Sequence, residues 1–183
     1  MVFDLGNVMV EWDRDRLFRS VIPDRGRRDE FFATIATMDW NLELDRGLPF
    51  EDAVTQLTAR HPGWAAEIAA YRDRWQEMLG PVDDEAVELL SDLVAGGVRT
   101  IWLTNWSAET FPIAEERFPF LAFFEGIVVS GREGLVKPDP AIFDLVCSRF
   151  LLDPAQLLFT DDSISNVSGA RAAGWDAVLW TGA

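Results

Sequence analysis

The chain has 183 residues, 49% of them apolar and 26% charged, with 31 acidic against 16 Lys and Arg residues and a formal net charge of −15. That length buries a substantial core in an ordinary globular composition, and the acidic field argues against nucleic acid and anionic membrane surfaces as partners. The single cysteine, Cys147, rules out an internal disulfide, and no apolar run approaches a membrane span, so a cytoplasmic monomer or homodimer is expected.

The chain opens on an apolar run over residues 2–5 that reads as a buried strand. Helical stretches alone follow, over 16–21, 28–38, 50–60 and 64–79, punctuated by Pro23, the Asp45-Arg46-Gly47 turn and the His61-Pro62-Gly63 break. From residue 84 the pattern changes. Helical periods over 84–95, 108–118, 141–150 and 163–173 alternate with short apolar runs at 100–103, 126–129, 157–159 and 177–180. Strands alternating with helices imply a parallel sheet covered on both faces. The expected fold is therefore a Rossmann-like, three-layer α/β/α arrangement around a five-stranded parallel sheet. Its core would comprise residues 1–14 and 80–183, and residues 15–79 would form an inserted helical-bundle cap.

Ligands of open α/β sheets sit at the carboxyl ends of the strands, so the residues there carry the chemistry. Asp4 ends the first run, and Gly6 beside it lets a ligand approach the backbone. A carboxylate at that point suits a turn cap, or a nucleophile that also ligates a metal. Asp161 and Asp162 are adjacent like charges that a hard divalent cation such as Mg²⁺ would reconcile; the same pair suits a helix N-cap, with Asn166 orienting the loop. Thr104 and Asn105 offer a hydroxyl, an amide and backbone N–H groups before a helix, either as its cap or as a phosphate cradle. Lys137 is the only lysine in a chain whose other cationic side chains are arginines. An ammonium and a guanidinium fork are not interchangeable in a tight site, although a loop lysine also satisfies the pattern.

In order along the chain, VFDLGNVMV, LTN, the lysine of GLVKPDP and FTDDSISN resemble the four motifs of the haloacid dehalogenase superfamily of hydrolases. The resemblance covers essentially the whole chain, and the insertion is similar to that family's small helical cap. The opening motif, with Asp45-Arg46-Gly47 and TDDSISN, further resembles the bacterial α-D-glucose-1-phosphate phosphatase group. The resemblance implies that Asp4 attacks phosphorus and that Mg²⁺ is held by Asp4, the Gly6 carbonyl and Asp162, with Asp161 assisting. It further implies that Thr104 and Asn105 bind the phosphoryl group of a small phosphorylated metabolite, a sugar phosphate or sugar 1-phosphate, while Lys137 holds Asp4 and the phosphate.

One departure stands out. Most phosphatases of that superfamily carry a second Asp two positions after the nucleophile as general acid, and here the position is Gly6. Water or a cap residue would have to substitute; His61, the only histidine, reads as a surface turn. A sugar 1-phosphate, with its more acidic leaving hydroxyl, tolerates the loss best. The 2-haloacid dehalogenases also lack that Asp, but they need no paired carboxylates in the fourth motif. A non-catalytic binding protein is the third reading. Substrate selection is expected from Trp40, Asn41, Asp45 and Arg46 in a polar-aromatic segment between helices, with Trp12 and Trp106 at the mouth; Trp40 and Trp106 suit site lining and core filling alike.

Overall fold

The structure is a computed structural model that describes residues 1–182. Its strands are β1 (Val2–Phe3), β2 (Val10–Trp12), β3 (Leu79–Val82), β4 (Ile101–Thr104), β5 (Gly126–Val129), β6 (Leu158–Asp161) and β7 (Asp176–Leu179). Five of them form the expected parallel sheet, in the order β5-β4-β1-β6-β7. β1 is only two residues long yet central: Val2 pairs with Ile101 and Phe159, Phe3 with Trp102 and Thr160. The strand order reverses at β1, with β4 on one side and β6 on the other, so the crevice of the switch point opens just beyond Phe3.

The period-two alternation of the strands sorts their side chains between two apolar clusters. Val2, Ile101, Leu103 and Phe159 pack with Ile142, Phe143 and Val146 of one helix (α9, Pro140–Phe150) and with Val167 and Ala170 of another (α10, Ile164–Ala172). Phe3 and Trp102 face the other way. They join Ala86 and Leu90 of α6 (Asp84–Ala95), and Phe111 and Ala114 of α7 (Phe111–Arg117). Each fully buried Val, Leu, Ile or Phe among them contributes about 1.5–3 kcal/mol, so the two clusters fix the sheet between its helical layers.

The segment between β2 and β3 is helical: α1 (Arg14–Val21), α2 (Arg25–Glu30), α3 (Met38–Asp45), α4 (Phe50–Arg60) and α5 (Ala65–Asp73). Its Leu17, Phe18, Phe31 and Tyr71 belong to the same cluster as Phe3 and Trp102, so the insert is packed onto the sheet framework. A short core helix, α8 (Ser130–Glu133), follows β5. Among the described residues no helix is long and apolar enough to cross a membrane.

Several elements differ from expectation. β2 and β3, missed in the sequence, pair antiparallel at the two ends of the insert, Val10 opposite Val82 and Trp12 opposite Leu79. The helix expected over 28–38 starts earlier, at a cap where Asp24 accepts from Arg27 N–H at 2.8 Å, and passes into a π-helical turn over Phe31–Ile35. The segment read as lying between helices is itself α3, started by Thr37, whose hydroxyl accepts from Trp40 N–H at 3.1 Å.

Candidate active site

Lys137 is the hub. It is 1% exposed, and its ammonium reaches Asp4 Oδ1 at 2.7 Å, Asp161 Oδ2 at 2.7 Å and the Leu103 carbonyl at 3.0 Å. Three partners exhaust the three hydrogens of an ammonium, and a planar guanidinium does not match such a set. That accounts for the one lysine. Burial pushes the group down, but the carboxylates of Asp4 and Asp161 outweigh it and hold Lys137 above its ordinary value. Asp139 starts α9 just beyond by accepting from Ala141 N–H at 2.9 Å, with Pro140 in the first turn.

Asp4 follows β1, and Asp161 ends β6, so adjacent strands deliver them side by side. Asp4, Asp161 and Asp162 bring carboxylate oxygens within 4.8 Å of one another. Burial, opposed by Lys137 and reinforced by Asp161, pushes Asp4 up to about 7. Burial likewise raises Asp162, against a hydrogen bond from Asn7. Three carboxylates around one ammonium are short of positive charge, and an all-oxygen donor set of this kind fits a hard divalent cation.

The hydrogen bonds divide the labour among the three. Asp161 is fully buried and saturated: Oδ1 accepts from Ser163 N–H at 2.8 Å and Asn166 Nδ2 at 3.0 Å, while Oδ2 accepts from Lys137 and from Asn166 at 3.1 Å. Asp162 accepts from Asn7 Nδ2 at 3.1 Å and lines the open cavity. Asp4 and Asp162 therefore keep lone pairs for a cation, while Asp161 is committed to Lys137 and the loop. Asn7, in the left-handed region at φ 56°, also accepts from Trp12 N–H at 3.0 Å. Asparagine tolerates that backbone, so it couples the β2 ribbon to Asp162.

Above these groups lies a cavity of about 360 Å³. Asp4, Gly6, Asn105, Lys137 and Asp162 line it from the sheet side, and Asn41, Leu42, Asp45 and Trp75 from the insert. Lys137 is the only positively charged residue among its described lining. Asp45 ends α3. Its carboxyl accepts from Asn41 Nδ2 at 2.8 Å, and Asn41 Oδ1 in turn accepts from the buried hydroxyl of Tyr71 at 2.7 Å. The Asp45 carbonyl accepts from Ser130 Oγ at 2.5 Å, which fastens the end of α3 to the core.

A model of the haloacid dehalogenase-like hydrolase family matches residues 2–174. The chain belongs to that family. It is similar to the sesquiterpene phosphatase astK of Aspergillus oryzae, 28% identical over 174 residues that cover 94% of this chain and 85% of the relative. Among solved structures, a HAD family enzyme of Bacteroides thetaiotaomicron, in complex with magnesium and inorganic phosphate, superposes with a TM-score of 0.75. The two share 20% identity over 99% of this chain and 93% of that one. The L-2-haloacid dehalogenase of Xanthobacter autotrophicus, with chloropropionic acid covalently bound, gives a TM-score of 0.68 at 17% identity, over 97% and 75% of the two chains.

In this haloacid dehalogenase-like hydrolase the residues singled out in the sequence fall into two groups. Asp4, Gly6, Asn105, Trp106, Lys137 and Asp162 line the cavity, with Asp161 directly behind them. Thr104 is 1% exposed at the end of β4 and is not among the lining residues. Neither are Trp40 and Arg46. Trp40 packs edge-on against Tyr71 at 5.0 Å, and Arg46 extends to Glu43 at 3.7 Å, because the helical twist of α3 turns both away from Asn41 and Asp45. Trp106 packs on Trp75 at 5.3 Å, and both serve as core and as cavity wall. Asn7 and Ser130 carried no readable signal, since each acts through contacts with distant residues.

Proposed function

We propose that this hydrolase is a magnesium-dependent phosphomonoesterase of small phosphorylated metabolites, with Asp4 as nucleophile. The observation that carries the reading is the 2.7 Å contact between Lys137 Nζ and Asp4 Oδ1 inside a cluster of three carboxylates. A nucleophile pinned to a buried cation, at a cavity floor that calls for a second one, suits displacement at an anionic phosphorus. The phosphatase and the magnesium–phosphate complex among the similar proteins support it.

In this reading Asp4, Asp162 and the Gly6 carbonyl hold the ion, which supplies charge neutralisation at the phosphoryl oxygens. Lys137 occupies Asp4 Oδ1 and leaves Oδ2 to attack phosphorus, forming an aspartyl-phosphate that water hydrolyses. Asn105, with one amide hydrogen uncommitted, steadies the phosphoryl group by donating to it, Lys137 contributes its charge, and Thr104 supports them from the end of β4. Paired carboxylates in the fourth motif argue against dehalogenation. Asn41 and Asp45 offer hydrogen bonds to the hydroxyls of a sugar. Trp12, Met38, Leu42, Trp75 and Trp106 on the same lining favour a second substrate class, an apolar alcohol such as an isoprenoid.

The test is hydrolysis of 4-nitrophenyl phosphate with Mg²⁺, with EDTA and by Asp4→Asn, followed by glucose 1-phosphate, glucose 6-phosphate, farnesyl monophosphate and chloroacetate. Metal-dependent phosphate release that Asp4→Asn abolishes is expected. Halide release from chloroacetate, or binding of phosphate without turnover of any ester, overturns the reading.

A further inference from the structure

The proposed chemistry needs a proton for the departing alcohol, and the loop after Asp4 holds no group to give it. The position two residues on is Gly6, where an added Cβ would meet nothing within 4 Å, so the cavity wall is simply open there. On the insert side the same cavity is lined by Asp45. It lies outside the trio that could share a cation, so its carboxyl is free of that duty.

Asp45 is held more firmly than a residue that only brushes substrate requires. Asn41 Nδ2 donates to its carboxyl, and Tyr71 fixes Asn41 from behind. Ser130 Oγ, itself fully buried, holds its carbonyl and also accepts from Trp106 N–H at 2.8 Å. Two residues on, an added Cβ at Gly47 would lie 3.0 Å from the Gly131 carbonyl oxygen, so the backbones of insert and core are in close contact. Phe50 N–H then donates to Glu109 at 2.9 Å. Anchors from both sides of the cavity preorganise one carboxyl group against the floor that carries Asp4.

We propose that Asp45 is the general acid–base of this hydrolase, doing from the insert what Gly6 cannot do from the loop. The inference rests on the phosphomonoesterase reading above. In the first half-reaction the Asp4 oxygen–phosphorus bond forms, the bond from phosphorus to the ester oxygen breaks, and the alcohol leaves with the Asp45 proton. In the second, water adds to phosphorus, the bond to Asp4 breaks, and the water's proton returns to Asp45.

Its protonation suits the task. Burial raises Asp45 to about 7, against the Ser107 N–H, with the charge of Asp4 adding to the rise and Lys137 and Asn41 opposing it. The charged and titratable groups that face it are thus Asp4 and Lys137 from the core and Tyr71 from α5. Asp39, also on the lining, is exposed at the first turn of α3.

The decisive test compares wild type and Asp45→Asn on aryl phosphates of graded leaving-group acidity, from 2,4-dinitrophenyl through 4-nitrophenyl to phenyl phosphate. General acid catalysis is worth roughly 10²- to 10⁴-fold where it is needed. Asp45→Asn should lose activity of that order on phenyl phosphate and little on the dinitrophenyl ester. An equal loss across the series, or no loss, overturns the assignment. Should Asp45→Asn fail to fold, wild type decides alone: a shallow dependence on leaving-group acidity supports a delivered proton, and a steep one overturns it. A folded wild type that turns over no ester in the series overturns the phosphomonoesterase reading itself.

Discussion

Asn105 grips Lys137 by both ends of its amide: Oδ1 accepts the lysine backbone N–H at 2.8 Å, and Nδ2 donates to the lysine carbonyl at 2.9 Å. One side chain thus completes the hydrogen bonding of a peptide segment that has no strand partner at that point, and sets the direction from which the ammonium enters. Asn105→Ala should cost about 1–3 kcal/mol, because it leaves the Lys137 backbone groups unpaired away from water. Activity should fall further than that loss explains, by on the order of 10²-fold, since a small displacement of an aligned group is costly to rate. Urea unfolding beside steady-state kinetics checks both.

Lys137→Met removes the one ammonium from beneath Asp4 and Asp161. Breaking a buried pair from one side typically costs about 3–5 kcal/mol. The loss should be largest at pH 8, where Asp4 must be buried as an anion, and smaller at pH 5, where it takes up a proton. Denaturation of metal-free protein at the two pH values measures the difference. Lys137→Arg should restore little, because the site supplies three convergent acceptors and no room for a fork.

Mg²⁺ should raise the melting temperature of the wild type at constant ionic strength. A ligand at a hundred times its dissociation constant contributes about 2.7 kcal/mol, which in a chain of this size is a shift of several degrees. Asp162→Asn should lose most of that shift while remaining folded, since Asp162 faces the cavity and its hydrogen-bond partner is the Asn7 side chain. Differential scanning fluorimetry decides it; an unaltered shift in the variant counts against Asp162 as a ligand.

Asp45 gives the stability a pH dependence of definite sign. Its carboxyl titrates at about 7 in the folded chain against an ordinary value of 3.8. Between those values the unfolded chain ionises while the native one keeps its proton, so stability falls as pH rises through this window and the loss is complete above about 7. At about 1.4 kcal/mol per unit the upper limit is about 4 kcal/mol, reduced by the solvent that reaches a half-buried group. Asp45→Asn removes this contribution, so its stability should fall less steeply than the wild type's between pH 4 and pH 7 in guanidinium titrations.

Strands buried on both faces are legible as short apolar runs, and the residues that follow them inherit the crevice; Asp4 and Asp161 were readable for that reason, and Lys137 as the only lysine of the chain. β2 and β3 were not, because a ladder of three or four residues that includes Gly80 and Pro81 exists only when partners far apart in the chain meet. α3 was missed because Trp40, Asn41, Leu42 and Glu43 carry no clear apolar stripe, and its start depends on the Thr37 cap. That misreading also hid which residues share a face: Asn41 and Asp45, one turn apart, point into the cavity, while Trp40 and Arg46 do not. The amide of Asn105 suits a phosphate ligand, and only the fold shows that Oδ1 and one amide hydrogen also engage a backbone 32 residues away.

Trp12 stands opposite Leu79 in the β2–β3 ribbon, so the chain leaves the α/β framework and returns to it at neighbouring points. Seen from the sheet, everything from Asp13 to Met78 is a branch on a two-stranded stem. The entropy of closing such a branch grows only with the logarithm of its length, about 0.6 kcal/mol per doubling. Descent can therefore lengthen, trim or exchange the branch without altering strand order, provided the replacement keeps an apolar surface for Phe3 and Trp102. On the proposed assignment, phosphorus chemistry stays with the trunk, while the choice of alcohol, and with it the proton donor, travels with the branch.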